Sequence, residues 1–120
     1  MFKVEADTTR NILRLTFVEV VGRTEARQCR EKVEAAVTQL RPEFSVLTDL
    51  SGLEEMHYTC AHAIQEIMDI CRKKGVGRVV RVIPDPTKDI GFNLMSLFHY
   101  GHEVPIQTFK TLPEALQALT

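Results

Sequence analysis

"FSVLTDLSGLEEMHYTC", residues 44–60, passes from an apolar run through a polar stretch to a hydroxyl that opens a helical pattern. Residues 44–50 are mostly apolar with no polar alternation, as in a strand covered on both faces of a parallel sheet. Ser51 to Tyr58 reads as a polar turn beyond the carboxyl end of that strand. From Thr59 onward, Cys60, Ile64, Ile67, Met68 and Cys71 fall on one face of a helix that runs to Lys74, where Gly75 is placed to end it. A buried strand that leads through a turn into an amphipathic helix is half of a strand-helix-strand unit, and this sets the class of the fold.

Downstream, residues 77–83 (GRVVRVI) form the next strand, stopped by Pro84 and Pro86. A helix over about 87–100 carries Ile90, Leu94, Leu97 and Phe98 as its core stripe and ends at Gly101. Residues 104–109 give a last strand. Thr111-Leu112-Pro113-Glu114 then has the form of a capping box ahead of a helix over 112–119 that buries Ala115, Leu116 and Leu119. Upstream, residues 2–6 and 11–20 alternate apolar and polar, the period of half-buried strands, and the short polar link 7–10 joins them as a hairpin. After Gly22, Thr24 is placed to cap a helix whose apolar positions are Ala26, Cys29, Val33, Ala36, Val37 and Leu40. The order ββαβαβαβα predicts one α/β domain over residues 1–120. It has a mixed, mostly parallel sheet of about five strands, helices packed on it, and the hairpin strand antiparallel at its edge.

Composition narrows the function classes. Of the 120 residues 44% are apolar and 26% charged, ordinary globular values. No apolar run approaches the roughly 20 residues of a membrane-spanning helix. Met1 is followed at once by a strand pattern, not a signal peptide, and Cys29, Cys60 and Cys71 have no CxxC spacing, so a cytoplasmic protein without disulfides is expected. A net charge of −1 gives no electrostatic footprint for nucleic acid, which leaves a protein or small-molecule partner.

In open α/β sheets function gathers beyond the carboxyl ends of the parallel strands. Four such places are expected: residues 21–24, 51–59, 84–87 and 110–111. Thr59 sits where a helix N-cap belongs, and the same position suits an added phosphate, whose charge the helix dipole stabilises. Cys60 in the first helical turn is either an activated thiol or a small core residue. His57, Cys60 and His62 lack a fourth ligand and a convergent spacing, so no metal is expected. His99 and His102 flank a helix end. Asp49, Glu54, Glu55 and Asp85 are carboxylates without a defined pairing, and Asp49 suits a bond to turn backbone. There is no glycine-rich phosphate loop, since Gly75-Val76-Gly77 precedes a strand, and no cofactor or enzyme signature stands out. On the third helix Phe92, Met95 and Tyr100 lie off the core stripe, which points either to deep burial or to an apolar contact face, including one between two copies of the chain.

The element order and the stretch "DLSGLEEMHYTC" resemble the STAS domain family, the anti-sigma factor antagonists and the cytoplasmic domains of sulphate transporters. Asp49-Leu50-Ser51 and Leu53 look like that family's strand end, and Met56 its apolar residue before an Asp-Ser-Ser-Gly helix opening. Aligned on Met56, His57 falls on the Asp, Tyr58 on the first Ser, Thr59 on the phosphorylated Ser and Cys60 on the Gly. "VVGRTEARQCREKVEAAV" and "NLMSLFHYGHEVPIQTFKTLPEALQAL" are similar to the family's first helix and its last helix-strand-helix unit.

The resemblance implies a non-enzymatic bacterial regulatory domain that binds a protein such as an anti-sigma factor kinase. It implies Thr59 as phosphoacceptor, with Gly22, Arg23, Thr24, Ser51, His57, Tyr58 and Thr59 in the docking surface. An alternative within the same resemblance is a small-molecule or lipid-binding module without a phosphorylation switch, seated against Phe92, Met95, Phe98 and Tyr100.

Overall fold

Two alternating segments with a short polar link pair as expected: β1 (Phe2–Asp7) and β2 (Ile12–Val21) are antiparallel, with Phe2 opposite Phe17 and Asp7 opposite Ile12. The computed structural model describes residues 1–84 and 104–120. The link between these strands turns at Asn11, whose φ of 60° lies in the left-handed region that asparagine tolerates. Its amide is clamped to Arg41, donating from Nδ2 to the Arg41 carbonyl at 3.2 Å and accepting the Arg41 N–H at 2.9 Å.

β2 continues into α1 (Arg23–Ala36), and a single 3₁₀ turn (Val37–Gln39) carries the chain to β3 (Ser45–Met56). A second 3₁₀ turn, Tyr58–Cys60, leads into α2 (Ala61–Lys74), then β4 (Arg78–Val82). β5 (Ile106–Phe109) and α3 (Leu112–Ala118) complete the described chain. The sheet order is β1-β2-β3-β4-β5, antiparallel only between β1 and β2. This is the mixed α/β sheet with an antiparallel edge that the alternation of strands and helices predicted. The helix expected over 87–100, with Phe92, Met95 and Tyr100, lies outside the described residues, as do Asp85, His99 and His102.

Two successive right-handed crossovers that step the same way along a sheet place both helices on one face. α1 buries Ala26, Cys29, Val33 and Ala36, and α2 buries Ala63, Ile64, Ile67, Met68 and Cys71. They pack against Leu13, Leu15, Phe17, Val46, Leu50, Leu53 and Val79 of the sheet. On the opposite face, among the described residues, Ile12, Leu47, Val80 and Val82 meet Ala115 of α3, flanked by Phe109, Leu112, Leu116 and Leu119. Each large side chain so buried contributes about 1.5–3 kcal/mol relative to exposure. No helix among the described residues is long and apolar enough to cross a membrane.

Several boundaries differ from the sequence expectations. β3 does not end at Leu50; it runs through the expected polar turn to Met56, with Leu53 and Met56 buried. The reason lies in the β2–β3 pairing, whose register shifts between Thr16 and Val18 and again between Glu19 and Val20, with the extra residue on β3 each time. Glu19 has a φ of 59°, and these bulges re-aim β3 so that every third residue, not every second, turns inward. Gly52 sits opposite Val18 in this region, where a Cβ would lie 2.7 Å from Val18 Cγ1. α1 begins at Arg23, not after Thr24: Gly22 occupies the cap position and its N–H donates to Glu25 Oε1 at 3.4 Å. Two of the expected helix ends hold. Gly75 ends α2 at a φ of 97°, and Thr111 caps α3 by accepting the Glu114 N–H at 3.4 Å.

Candidate functional site

The carboxyl ends of β2 and β3 lie side by side, with Val21 opposite Met56. Both strands hand over to helices there, so residues 21–24 and 57–60 form neighbouring junctions. Val21 fastens them together: its carbonyl accepts the His57 N–H at 3.0 Å, and Cys60 Sγ lies 3.5 Å from the same oxygen. Gly22, Arg23, Thr24, His57, Tyr58 and Thr59 are thus brought to one end of the sheet. Ser51 is not with them. It sits within β3, separated from His57 by five strand residues, where its N–H and hydroxyl donate to Asp49 Oδ1 at 3.0 and 2.6 Å. Asp49 does bond turn-like backbone as expected, but in mid-strand.

Thr59 is not a helix cap. His57 takes that role: its Nδ1 accepts the Thr59 N–H at 3.3 Å and lies 2.8 Å from Thr59 Oγ1. With Nδ1 accepting from both groups, the imidazole carries its proton on Nε2. α2 itself starts after Cys60, with no side chain capping it and no acidic residue in its first turn. The His57 and Tyr58 rings pack with centroids 4.5 Å apart, and Tyr58 is 76% exposed, a large apolar surface at the tip of the turn.

Cys60 is wholly buried, and burial raises its thiol above the ordinary range, opposite to what an activated thiolate requires. Of the two roles its position allowed, the structure gives it that of a core residue. Cys29 and Cys71 are buried likewise and are pushed up to about 12. His57, Cys60 and His62 diverge: His57 turns to Thr59, Cys60 to Val21, and His62 Nε2 to Glu66 Oε1 at 2.8 Å.

A cleft of about 370 Å³ opens between α1 and α2, lined by Arg23, Arg27, Arg30, Thr59, His62, Ala63 and Glu66. The arginines recur at steps of four and three residues, so they form one stripe on α1. Arg30 is neutralised by Glu34 at 2.8 Å and by Glu66 across the cleft at 2.8 Å. Arg23 and Arg27 have no hydrogen-bond or ion-pair partner among the described residues. Sequence reasoning placed Arg23 in a loop and passed over Arg27 and Arg30. The signal was present as the helical spacing of basic residues in "RTEARQCR", in a stripe that flanks the apolar stripe of α1.

No protein-family model and no curated protein matches the chain. Among solved structures it is similar to the anti-sigma factor antagonist SpoIIAA in its unphosphorylated form, 17% identical over 99% of this chain and 97% of that one, with a TM-score of 0.69. It is similar also to the Bacillus cell fate determinant SpoIIAA in the phosphorylated form, 17% identical over 100% of both chains, with a TM-score of 0.68. A third similar structure is an uncharacterised protein from the DUF3478 family with a SpoIIAA-like fold from Shewanella loihica PV-4. That protein is 18% identical over 99% of this chain and 94% of its own, with a TM-score of 0.66. At such identities the likeness is one of backbone architecture, and it extends over the whole length. The chain has the SpoIIAA fold, the α/β architecture that its resemblance to the STAS family implied.

Proposed function

We propose that the chain is a regulatory protein-interaction domain of the antagonist type, which docks a protein partner at the end of the sheet where β2 and β3 pass into α1 and α2. The observation that carries this reading is the turn at residues 57–60. It is stiffened by the His57–Thr59 bonds, tied to the β2–α1 junction through Val21, and presents Tyr58 to solvent. A rigid, exposed aromatic on a fixed turn is the kind of anchor that protein interfaces use.

Gly22, Arg23, Thr24, His57, Tyr58 and Thr59 form the centre of this docking surface, and Ser51, held within β3, is not part of it. Thr59 is the phosphoacceptor, and the partner is a protein of the anti-sigma factor kinase type. A phosphate on Thr59 introduces about −1.5 to −2 charges at the interface and opposes docking there. The cleft beside it is arginine-lined, which suits a charged partner.

Binding of a purified anti-sigma factor kinase, measured by calorimetry with wild type and with Tyr58→Ala, Thr59→Ala and Thr59→Glu, tests the reading. Thr59→Ala should bind like wild type, while Tyr58→Ala and Thr59→Glu should each weaken binding by about tenfold or more. Equal binding by the two Thr59 variants would remove the switch, and unimpaired binding by Tyr58→Ala would remove the docking surface.

A further inference from the structure

The α1–α2 cleft lacks a counter-charge. Of its three guanidiniums only Arg30 meets carboxylates, and Glu66, the one acid in the lining, is already engaged by Arg30 and His62. Arg23 and Arg27 face the opening unpaired among the described residues. The opposite wall adds to the imbalance, since α2 begins beside Thr59 without a side-chain cap or a first-turn acid. On a chain of net charge −1 this concentration of positive potential is local.

Folding stability does not account for Arg23. It is the first residue of α1, where the helix dipole disfavours a cation. A stripe of two free guanidiniums one turn apart, placed at a cost to the helix and facing a hydroxyl across a cleft of small-ligand size, has the geometry of an oxyanion receptor.

We propose that the α1–α2 cleft is a phosphate-binding site, in which Arg23 and Arg27 grip a phosphomonoester dianion beside Thr59. The guanidinium forks supply charge-assisted N–H donors, and the volume leaves room for the group that carries the phosphate. Two sources have this chemistry: a free phosphomonoester, and the phosphate of Thr59 itself folded back against α1. In the second case the arginines neutralise the modification and hold it inside the molecule. The site does not depend on the identity of any protein partner.

The test has two arms. In the first, inorganic phosphate is titrated into the unmodified protein, followed by amide and guanidinium NMR signals, with sodium chloride at matched ionic strength as the control. Saturable shifts are expected at Arg23, Arg27, Thr59 and Ala63, weakened about tenfold or more in Arg23→Gln/Arg27→Gln. Arg23→Lys/Arg27→Lys, which keeps the charge and loses the fork, should fall between them. In the second arm, phosphothreonine is installed at position 59 by codon reassignment, and its phosphorus resonance is compared with and without the two arginines. A response in the first arm alone assigns the site to free phosphomonoesters, and one in the second alone assigns it to the phosphate of Thr59. Shifts that follow ionic strength only, together with a phosphorus resonance indifferent to the double substitution, would overturn the proposal.

Discussion

The imidazole of His57 holds Thr59 by both its backbone and its side chain, with Nδ1 3.3 Å from the amide nitrogen and 2.8 Å from Oγ1. The residue that caps the turn is therefore not the threonine that the helical pattern nominates but the histidine two positions earlier. Removing the two groups should have unequal effects. His57→Ala loses the acceptor for an orphan N–H and is expected to cost about 1 kcal/mol. Thr59→Ala loses one exposed side-chain bond and is expected to cost about 0.5 kcal/mol. Urea denaturation of the two variants checks this, and the reverse order would restore the cap to Thr59.

Gly52 and Val18 meet where β3 bulges against β2. A methyl group at position 52 enters within 2.7 Å of Val18 Cγ1, so Gly52→Ala should destabilise the domain by about 1–3 kcal/mol. The same substitution with Val18→Ala removes the clash and should recover most of the loss. A double-mutant cycle in urea measures the coupling; additive losses would show that Gly52 is needed for some other reason.

The three thiols are buried, and in each burial opposes ionisation. The native protein should resist a disulfide-exchange reagent in mildly alkaline buffer and react at all three sites once unfolded. Because the folded values of Cys29 and Cys71 are raised from 9.0 to about 12, the protonated thiols contribute stability that is fully present below pH 9. That contribution should fall away as pH rises from about 9 toward 12. Rapid labelling of Cys60 in the native state would contradict its placement in the core.

Asn11 combines a left-handed backbone with two bonds to the Arg41 backbone. Asn11→Ala loses both advantages and is expected to cost about 1–3 kcal/mol. Asn11→Gly keeps the conformational freedom and loses only the bonds, so its cost should be smaller. Thermal melts of the pair separate the two contributions.

The architecture was legible because its signals are local: alternation in β1 and β2, apolar stripes in α1 and α2, Gly75 and Thr111 at helix ends. The extent of β3 was not. Gly52 and the pair Glu54-Glu55 have the composition of a turn, and the inward spacing from Leu50 to Leu53 to Met56 matches neither a strand nor a surface loop. It becomes a strand only in its pairing with β2, where β3 carries an extra residue at two bulges, and that pairing is set by the partner strand and not by local pattern. At the site, Thr59 was found from its place before an apolar stripe. Its surroundings were not, since the cleft arises from α1 and α2 packing side by side, and the arginines on α1 have no sequence neighbour on α2.

Among the described residues the helices are unequally anchored to the sheet, and this has a kinetic consequence. α3 holds to its face through one wholly buried side chain, Ala115, whereas α1 and α2 are rooted by Ala26, Cys29 and Val33 and by Ile64, Ile67 and Met68. Segments with few buried apolar anchors open at lower free energy than the global transition. Amide hydrogens of α3 should therefore exchange with solvent ahead of those of α1 and α2, and hydrogen-exchange mass spectrometry that found the opposite order would contradict this. The turn at residues 57–60 and the arginine stripe stand at the ends of the better anchored helices, a preorganised platform whose shape is settled before anything arrives to meet it.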